Sequence, residues 1–232
     1  MKAGVVTFPG SNCDHDVYDV LSKIFSFDTD LIWHQKRHLN NYDLLVLPGG
    51  FSYGDYLRSG AIARFARIMD SVIDFALAGG LVLGICNGFQ ILLESNLLPG
   101  AMKVNDNLKF VCKNVSLEVN NNKTTFTNHY CENEIIEMPV AHGEGNYYID
   151  KKGLNSLIDN NQIVLRYANQ SENPNGSVEN IAGISNNKGN ILGLMPHPER
   201  CSEDIISPGR RDGYRLFSSI VANLKAGGEQ IG

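Results

Sequence analysis

The segment Gly84-Ile85-Cys86-Asn87-Gly88 sets a cysteine between two glycines, where an apolar run meets a helical pattern. This is the G-x-nucleophile-x-G spacing, with sulfur in place of a serine hydroxyl. A nucleophile on a sharp strand-to-helix turn sits in strained backbone that projects its side chain from the sheet. Glycines two residues to either side remove the Cβ atoms that would collide in so tight a turn. The helix beyond it aims its N-terminus at the sulfur, and that partial positive charge favours the reactive thiolate. The N–H of Asn87 then meets the oxygen of a carbonyl under attack. The competing reading is a small packed side chain, because free cysteines are among the most buried residue types. The flanking glycines and the junction favour the nucleophile, but the elbow alone does not choose between hydrolase families.

A cysteine nucleophile needs a general base, and the base needs a partner that fixes its tautomer. Of six histidines, only His197 stands in Met195-Pro196-His197-Pro198-Glu199. Pro198 disfavours helical backbone at His197, as Pro196 does at Met195. In an extended segment residues i and i+2 point to one side, so His197 and Glu199 are expected to project together. The carboxylate then accepts the imidazole N–H and steadies the imidazolium. The apolar run Ile191 to Met195 brings this segment up as a strand would. Read alone, His-Pro-Glu is equally a rigid surface turn. Read with the cysteine, it completes a set of roles.

Pro48-Gly49-Gly50 ends another apolar run, and bare glycine N–H groups approach a ligand closely. In an elbow hydrolase the second oxyanion donor comes from such a loop. Gly50, with Gly49, takes that role beside Asn87; a plain strand-to-loop turn is the alternative. Gln90 lies one helical turn after Cys86 and faces the same way. A substrate contact and a packing role fit Gln90 equally well.

The elements that must position these groups follow from periodicity. Ala3 to Phe8, Leu31 to Trp33, Leu44 to Leu47 and Leu81 to Ile85 are expected strands. Helical spacing covers Val17 to Phe25, with Ser11 or Asp14 as cap, then Gly60 to Ala78 and Gly88 to Asn96. Alternating strands and helices indicate an α/β fold, a parallel sheet flanked by helices on both faces. The second half adds strands at Val111 to Val119, Lys123 to Thr127, Ile135 to Met138, Val164 to Tyr167, Ile181 to Ser185 and Ile191 to Met195. Asn120 to Asn122 is a hairpin-turn candidate and Asn186 to Asn190 turns the last two strands into a hairpin. A last helix is expected from about Arg211 to Leu224. The sheet is therefore central, mixed and mostly parallel, with antiparallel strands added late. No repeat or linker divides residues 1–232, so one domain is expected.

A net charge of -5 argues against nucleic acid as the main partner. Five irregularly spaced cysteines with no CxxC suit neither a disulfide framework nor a zinc site, and no metal is expected. No stretch reaches the roughly 20 apolar residues of a membrane span. A cytoplasmic protein is expected.

Taken together, Gly84 to Gly88 and His197-Pro198-Glu199 resemble the triad class (class I) of glutamine amidotransferases. Further segments narrow the likeness: Gly10 to Asp14, Phe51 to Arg58, His142 to Tyr147 and Asn173 to Ser177. They look like the glutaminase-subunit family of phosphoribosylformylglycinamidine synthase, over residues 3 to about 215. The stretch around Asn120 is the least family-like. The resemblance implies a flavodoxin-like sheet and a triad of Cys86, His197 and Glu199. It implies glutamine hydrolysis through a glutamyl thioester, with ammonia passed to a large synthetase subunit, and a small accessory subunit in the same complex. Gln90 would contact glutamine, and Gly49 and the segment His142-Gly143-Glu144-Gly145 would lie at the pocket; His142 is equally a structural histidine. No cofactor is expected in this chain, and no G-x-x-x-x-G-K-[ST] occurs; ATP and Mg²⁺ would serve the partner. A stand-alone cysteine amidase of similar fold and a regulatory subunit without chemistry are the other readings. Arg58, Arg64 and Arg67 suit a solvated helix face better than a partner contact.

Overall fold

The computed structural model describes residues 1–204, 209 and 211–229. The first half contains β1 (Lys2–Thr7), α1 (Asp14–Asp19) running into a π-helical turn over Val20–Ile24, and β2 (Asp28–Trp33). Next come β3 (Leu44–Leu47), 3₁₀ turns at Ser52–Asp55 and Ala63–Phe65, and α2 (Met69–Leu77). Beyond them lie β4 (Leu81–Ile85), α3 (Asn87–Glu94) and β5 (Ala101–Lys103). The second half contains β6 (Val111–Val119), β7 (Ile135–His142), β8 (Asn146–Tyr148), α4 (Lys151–Asp159) and β9 (Ile163–Tyr167). It closes with β10 (Ile181–Ser185), β11 (Ile191–Leu194), a 3₁₀ turn at Pro198–Cys201 and α5 (Asp212–Glu229).

Nine strands form one sheet in the order β2-β1-β3-β4-β11-β10-β9-β6-β7. The five from β2 to β11 run parallel, and every later pairing is antiparallel. The sequence explains the division. β3 and β11 are buried along their whole length, as strands covered on both faces must be. β7 alternates buried and half-buried residues, the pattern of a strand with one wetter face. β5 and β8 form a separate two-stranded ribbon.

Several expectations need correction. The segment from Gly60 to Ala78 is not one helix. Ala66 is extended, with ψ 143°, so α2 begins only at Met69. Lys123 to Thr127 is not a strand but a series of turns. There the Thr127 hydroxyl donates to the Asn121 carbonyl at 2.7 Å and the Thr124 hydroxyl accepts from the Phe126 N–H at 3.1 Å. Local hydroxyl bonds have displaced the ladder that threonine content suggested. Asn120 to Asn122 do not make a tight hairpin turn. Each amide donates to a backbone carbonyl elsewhere, and the chain takes until Ile135 to return as β7. α1 has Cys13 at its N-cap with no side-chain capping bond, while the Ser11 hydroxyl accepts from the Phe8 N–H. α4 escaped the periodicity analysis, although Asp150 caps it by accepting from the Gly153 N–H at 2.7 Å.

The nucleophile turn depends on α3 lying directly against β3. A Cβ on Gly88 would sit 1.9 Å from the Leu47 carbonyl oxygen, and one on Gly84 would sit 2.8 Å from the Gly88 backbone. Gly88→Ala must therefore push helix from sheet, at a cost of about 1–3 kcal/mol or more. Gly227→Ala on α5, with nothing within 4 Å, should change stability by less than ~0.5 kcal/mol. Urea denaturation of the two variants beside wild type measures the contrast.

Candidate active site

Register brings the site together. β4 lies between β3 and β11, with Leu47 opposite Gly84 and Leu194 opposite Ile85. The three strands thus end level. Each strand leads into a chemistry-bearing segment: Pro48-Gly49-Gly50 after β3, Cys86 after β4, and Met195-Pro196-His197 after β11. Two backbone bonds fix the level. The Cys86 N–H donates to the Leu194 carbonyl at 2.8 Å, and the His197 N–H donates to the Pro139 carbonyl of β7 at 2.8 Å.

Cys86 has φ 49° and ψ -103°, outside the regions that L-residues ordinarily adopt. Such a conformation costs on the order of 1–3 kcal/mol and persists only where its surroundings enforce it. Cys86 is 5% exposed, and its sulfur lies 3.7 Å from the Ala141 carbonyl. His197 Nδ1 and Glu199 Oε1 are 2.6 Å apart in a pair almost wholly removed from solvent. Among the described residues, His197 Nε2 has no hydrogen-bond partner. Burial works against a charged imidazole here. The Glu199 carboxylate outweighs it, helped by the Cys86 and Cys13 sulfurs, and holds His197 well above the usual histidine range. The pairing is as expected, but its backbone is not. Pro198 opens a 3₁₀ turn instead of extending the strand, because its fixed φ suits the first position of a helical turn. Glu199 reaches His197 around that turn.

A cavity of about 130 Å³ opens over Cys86. Gly50, Gln90, His142 and Gly143 line it together with Phe51, Ala141, Asp55 and Glu144. Gly50 has φ +141°, and a Cβ there would meet the Asn12 N and Ser11 Cα at 2.8 Å, so only glycine fits. Gly49 does not line the cavity. It packs against the imidazole, where an added Cβ would lie 2.7 Å from His197 Cε1. The Asn87 side chain is buried in the wall, accepting from the Ser52 N–H at 3.1 Å and donating to Gln90 Oε1 at 2.8 Å. Gln90 in turn donates to the Glu144 carbonyl at 2.5 Å.

The segment holding Glu144 lies at the pocket as the resemblance implied, whereas Asp55 was given no role from sequence. Asp55 stands in a run where Tyr53, Gly54, Asp55 and Leu57 all have positive φ. Backbone strain of this kind gathers at functional sites. Burial first, and then the nearby Glu144 charge, push the Asp55 carboxyl up to about 6. His142 is held by Asn105 and Asn175, the latter also bonded to the Tyr167 hydroxyl. Burial, then the charge at His197, push His142 down to about 4. It is therefore a neutral imidazole at the pocket wall. Arg58 makes two bonds to Glu94, at 2.6 and 2.7 Å.

Among the described residues, Cys13, His197 and Glu199 are the one set of three such donors within 4.8 Å of one another, the reach of a shared metal ion. His197 and Glu199 already bond to each other.

The chain matches the CobB/CobQ-like glutamine amidotransferase domain over residues 1–221. It belongs to that family. This amidotransferase is 57% identical over 227 residues to phosphoribosylformylglycinamidine synthase subunit PurQ of Moorella thermoacetica, covering 95% of each chain. A chain in the structure of PurLQS from Thermotoga maritima superposes with a TM-score of 0.86 at 46% identity, over 96% of this chain and 98% of that one. The glutaminase domain of Trypanosoma brucei CTPS shares the fold, with a TM-score of 0.61 at 13% identity over 96% and 94% of the two chains. The flavodoxin-like sheet expected from the resemblance is the fold of these neighbours. Among the described residues, no helix is long and apolar enough to cross a membrane.

The two imidazoles give a pH signature. Unfolded, His142 titrates near its ordinary 6.5; folded, near about 4. Between those values the unfolded chain binds the extra proton, so stability is full above pH 6.5 and falls as pH drops toward 4. His142→Gln removes that proton. Urea unfolding at pH 7 and pH 5 should show wild type losing roughly 1–2 kcal/mol more than the variant.

Proposed function

We propose that this chain is the glutaminase subunit of a phosphoribosylformylglycinamidine synthase, acting as one glutamine amidotransferase domain. It hydrolyses glutamine to glutamate and ammonia. It hands the ammonia to a large synthetase subunit, which converts formylglycinamide ribonucleotide to formylglycinamidine ribonucleotide in de novo purine synthesis. A small accessory subunit completes the assembly. ATP and Mg²⁺ belong to the synthetase, and the complex works in the cytoplasm. The observation that carries the reading is the placing of Cys86, on the wall of a small cavity, beside the buried His197–Glu199 pair. The kinship with PurQ of Moorella thermoacetica and with the PurLQS chain supports the partner and the substrate.

The chemistry follows from the charges. Cys86 sulfur attacks the side-chain amide carbon of glutamine, and negative charge gathers on the carbonyl oxygen. Backbone N–H groups of Gly50 and Asn87 are the oxyanion donors in this reading. His197, kept protonated by Glu199, gives its proton to the departing nitrogen, and ammonia leaves. Water then enters, loses a proton to His197 and opens the thioester to glutamate. Burial of the pair strengthens each of these electrostatic steps. Gln90, His142 and Gly143 shape the wall, while Gly49 supports the imidazole from behind. The free amino acid also carries an ammonium group. Among the described residues lining the cavity, Asp55 and Glu144 are the anionic groups that suit it.

Labelling with a glutamine-like diazoketone, followed by peptide mapping, should modify Cys86; reaction at another cysteine instead sinks the mechanism. In the reconstituted complex, Cys86→Ala should abolish glutamine-dependent synthesis and leave ammonia-dependent synthesis intact. Asp55 loses its charge as pH falls through about 6. The KM for glutamine should therefore rise below that pH while kcat changes less, and Asp55→Asn should show the raised KM at every pH.

A further inference from the structure

Glu199 is wholly buried, with one oxygen on His197 Nδ1 and the other, Oε2, without a hydrogen-bond partner among the described residues. Arg200 is its chain neighbour. A guanidinium beside a half-free buried carboxylate ordinarily closes into a two-pronged ion pair. Here it does not. Arg200 Nε stays 4.0 Å from Glu199 Oε1, beyond hydrogen-bond range. Its donors go elsewhere: Nη2 donates to the Cys13 sulfur at 3.0 Å, and Nε faces Asp16 Oδ2 at 3.5 Å.

Cys13 is well placed to hold that arrangement. It is 1% exposed, its thiol donates to Asn12 Oδ1 at 3.1 Å, and its N–H donates to the Gly49 carbonyl at 3.3 Å. It lies against the imidazole edge that Gly49 also touches. Burial raises its thiol above the usual range, so it stays neutral and adds no charge of its own.

We infer that Cys13 is a positioning residue which, with Asp16, holds the Arg200 guanidinium short of Glu199, so that the carboxylate serves His197 alone. The catalytic meaning of this rests on the glutaminase reading; the electrostatic claim does not. Were Arg200 to close on Glu199, the carboxylate would stabilise the imidazolium less, and the arriving positive charge would repel it. Both effects lower the proton affinity of His197. The titratable and charged groups around the pair are Cys13 and Asp16 from the β1–α1 segment, Cys86 from the β4–α3 turn, His142 from β7, and Arg200 and Cys201 from their own turn. Asp212, at the start of α5, bears on Cys201.

The test is the titration of the His197 ring in the intact chain, followed by NMR of ¹⁵N-histidine-labelled protein. Cys13→Ala should lower the His197 midpoint by roughly one pH unit, a tenfold loss of proton affinity. Cys13→Ser, which keeps an acceptor for Nη2, should stay with wild type. Adding Arg200→Met to Cys13→Ala should recover most of the fall, all but the share due to the lost Cys13–imidazole contact, and Arg200→Met alone should leave the midpoint unchanged or higher. A Cys13→Ala midpoint equal to wild type, a double variant as low as Cys13→Ala, or a fall in Arg200→Met alone would overturn the inference. If Cys13→Ala does not fold, Cys13→Ser and Arg200→Met decide it. Because no glutamine is used, loss of the glutaminase reading would leave this result standing.

Discussion

Backbone hydrogen bonds among β3, β4 and β11 hold Leu47, Gly84 and Gly193 at one level. A slip of one residue would move a segment by about 3.3 Å and turn its side chains to the other face. His197 and Glu199 would then move together away from Cys86. The site therefore inherits its precision from ladder geometry, which is stiff, and not from the loops that carry the reactive groups. The β7 carbonyls of Pro139 and Ala141 add a second anchor, one taking the His197 N–H and the other lying beside the Cys86 sulfur. In this way the antiparallel half of the sheet closes the pocket that the parallel half opens.

Strain and packing are two sides of the Cys86 turn. The positive-φ conformation at Cys86 is unfavourable on its own. It is held because α3 lies so close to β3 that only glycine fits at position 88, and because the Cys86 N–H is tied to Leu194. α3 is buried from Asn87 to Leu93, so the helix cannot lift to relieve the turn without exposing its apolar surface.

Electrostatics divides like groups into different roles. Two buried imidazoles share the pocket region. His197 is raised by its carboxylate, and His142 is lowered by burial and by His197 itself. Two carboxylate sites differ as well: Glu199 is committed to a histidine, while Asp55 and Glu144 face the cavity. Environments that push equal groups apart are how one site runs both halves of a proton transfer near neutral pH. Arg200, held by Cys13 and Asp16, keeps the first division intact.

The local parts were legible in the sequence because their causes are local. Glycines around Cys86, prolines around His197 and unbroken apolar runs for β3, β4 and β11 each encode a backbone constraint within a few residues. Thr124 to Thr127 misled the same reasoning, since β-branched content does not reveal whether a hydroxyl will capture the backbone first. Asp150 before α4 was a readable cap, and Leu154, Leu157 and Ile158 behind it keep helical spacing, so this helix too was legible in the sequence. What tertiary structure alone decided was adjacency across the chain. β11 lies beside β4, setting residue 197 over residue 86; Cys13 lies behind His197, and Asp55 and Glu144 meet at one wall. Those distances depend on which strands pair and in what register. Pairing is chosen by the burial of the whole sheet, so no short stretch of sequence contains it.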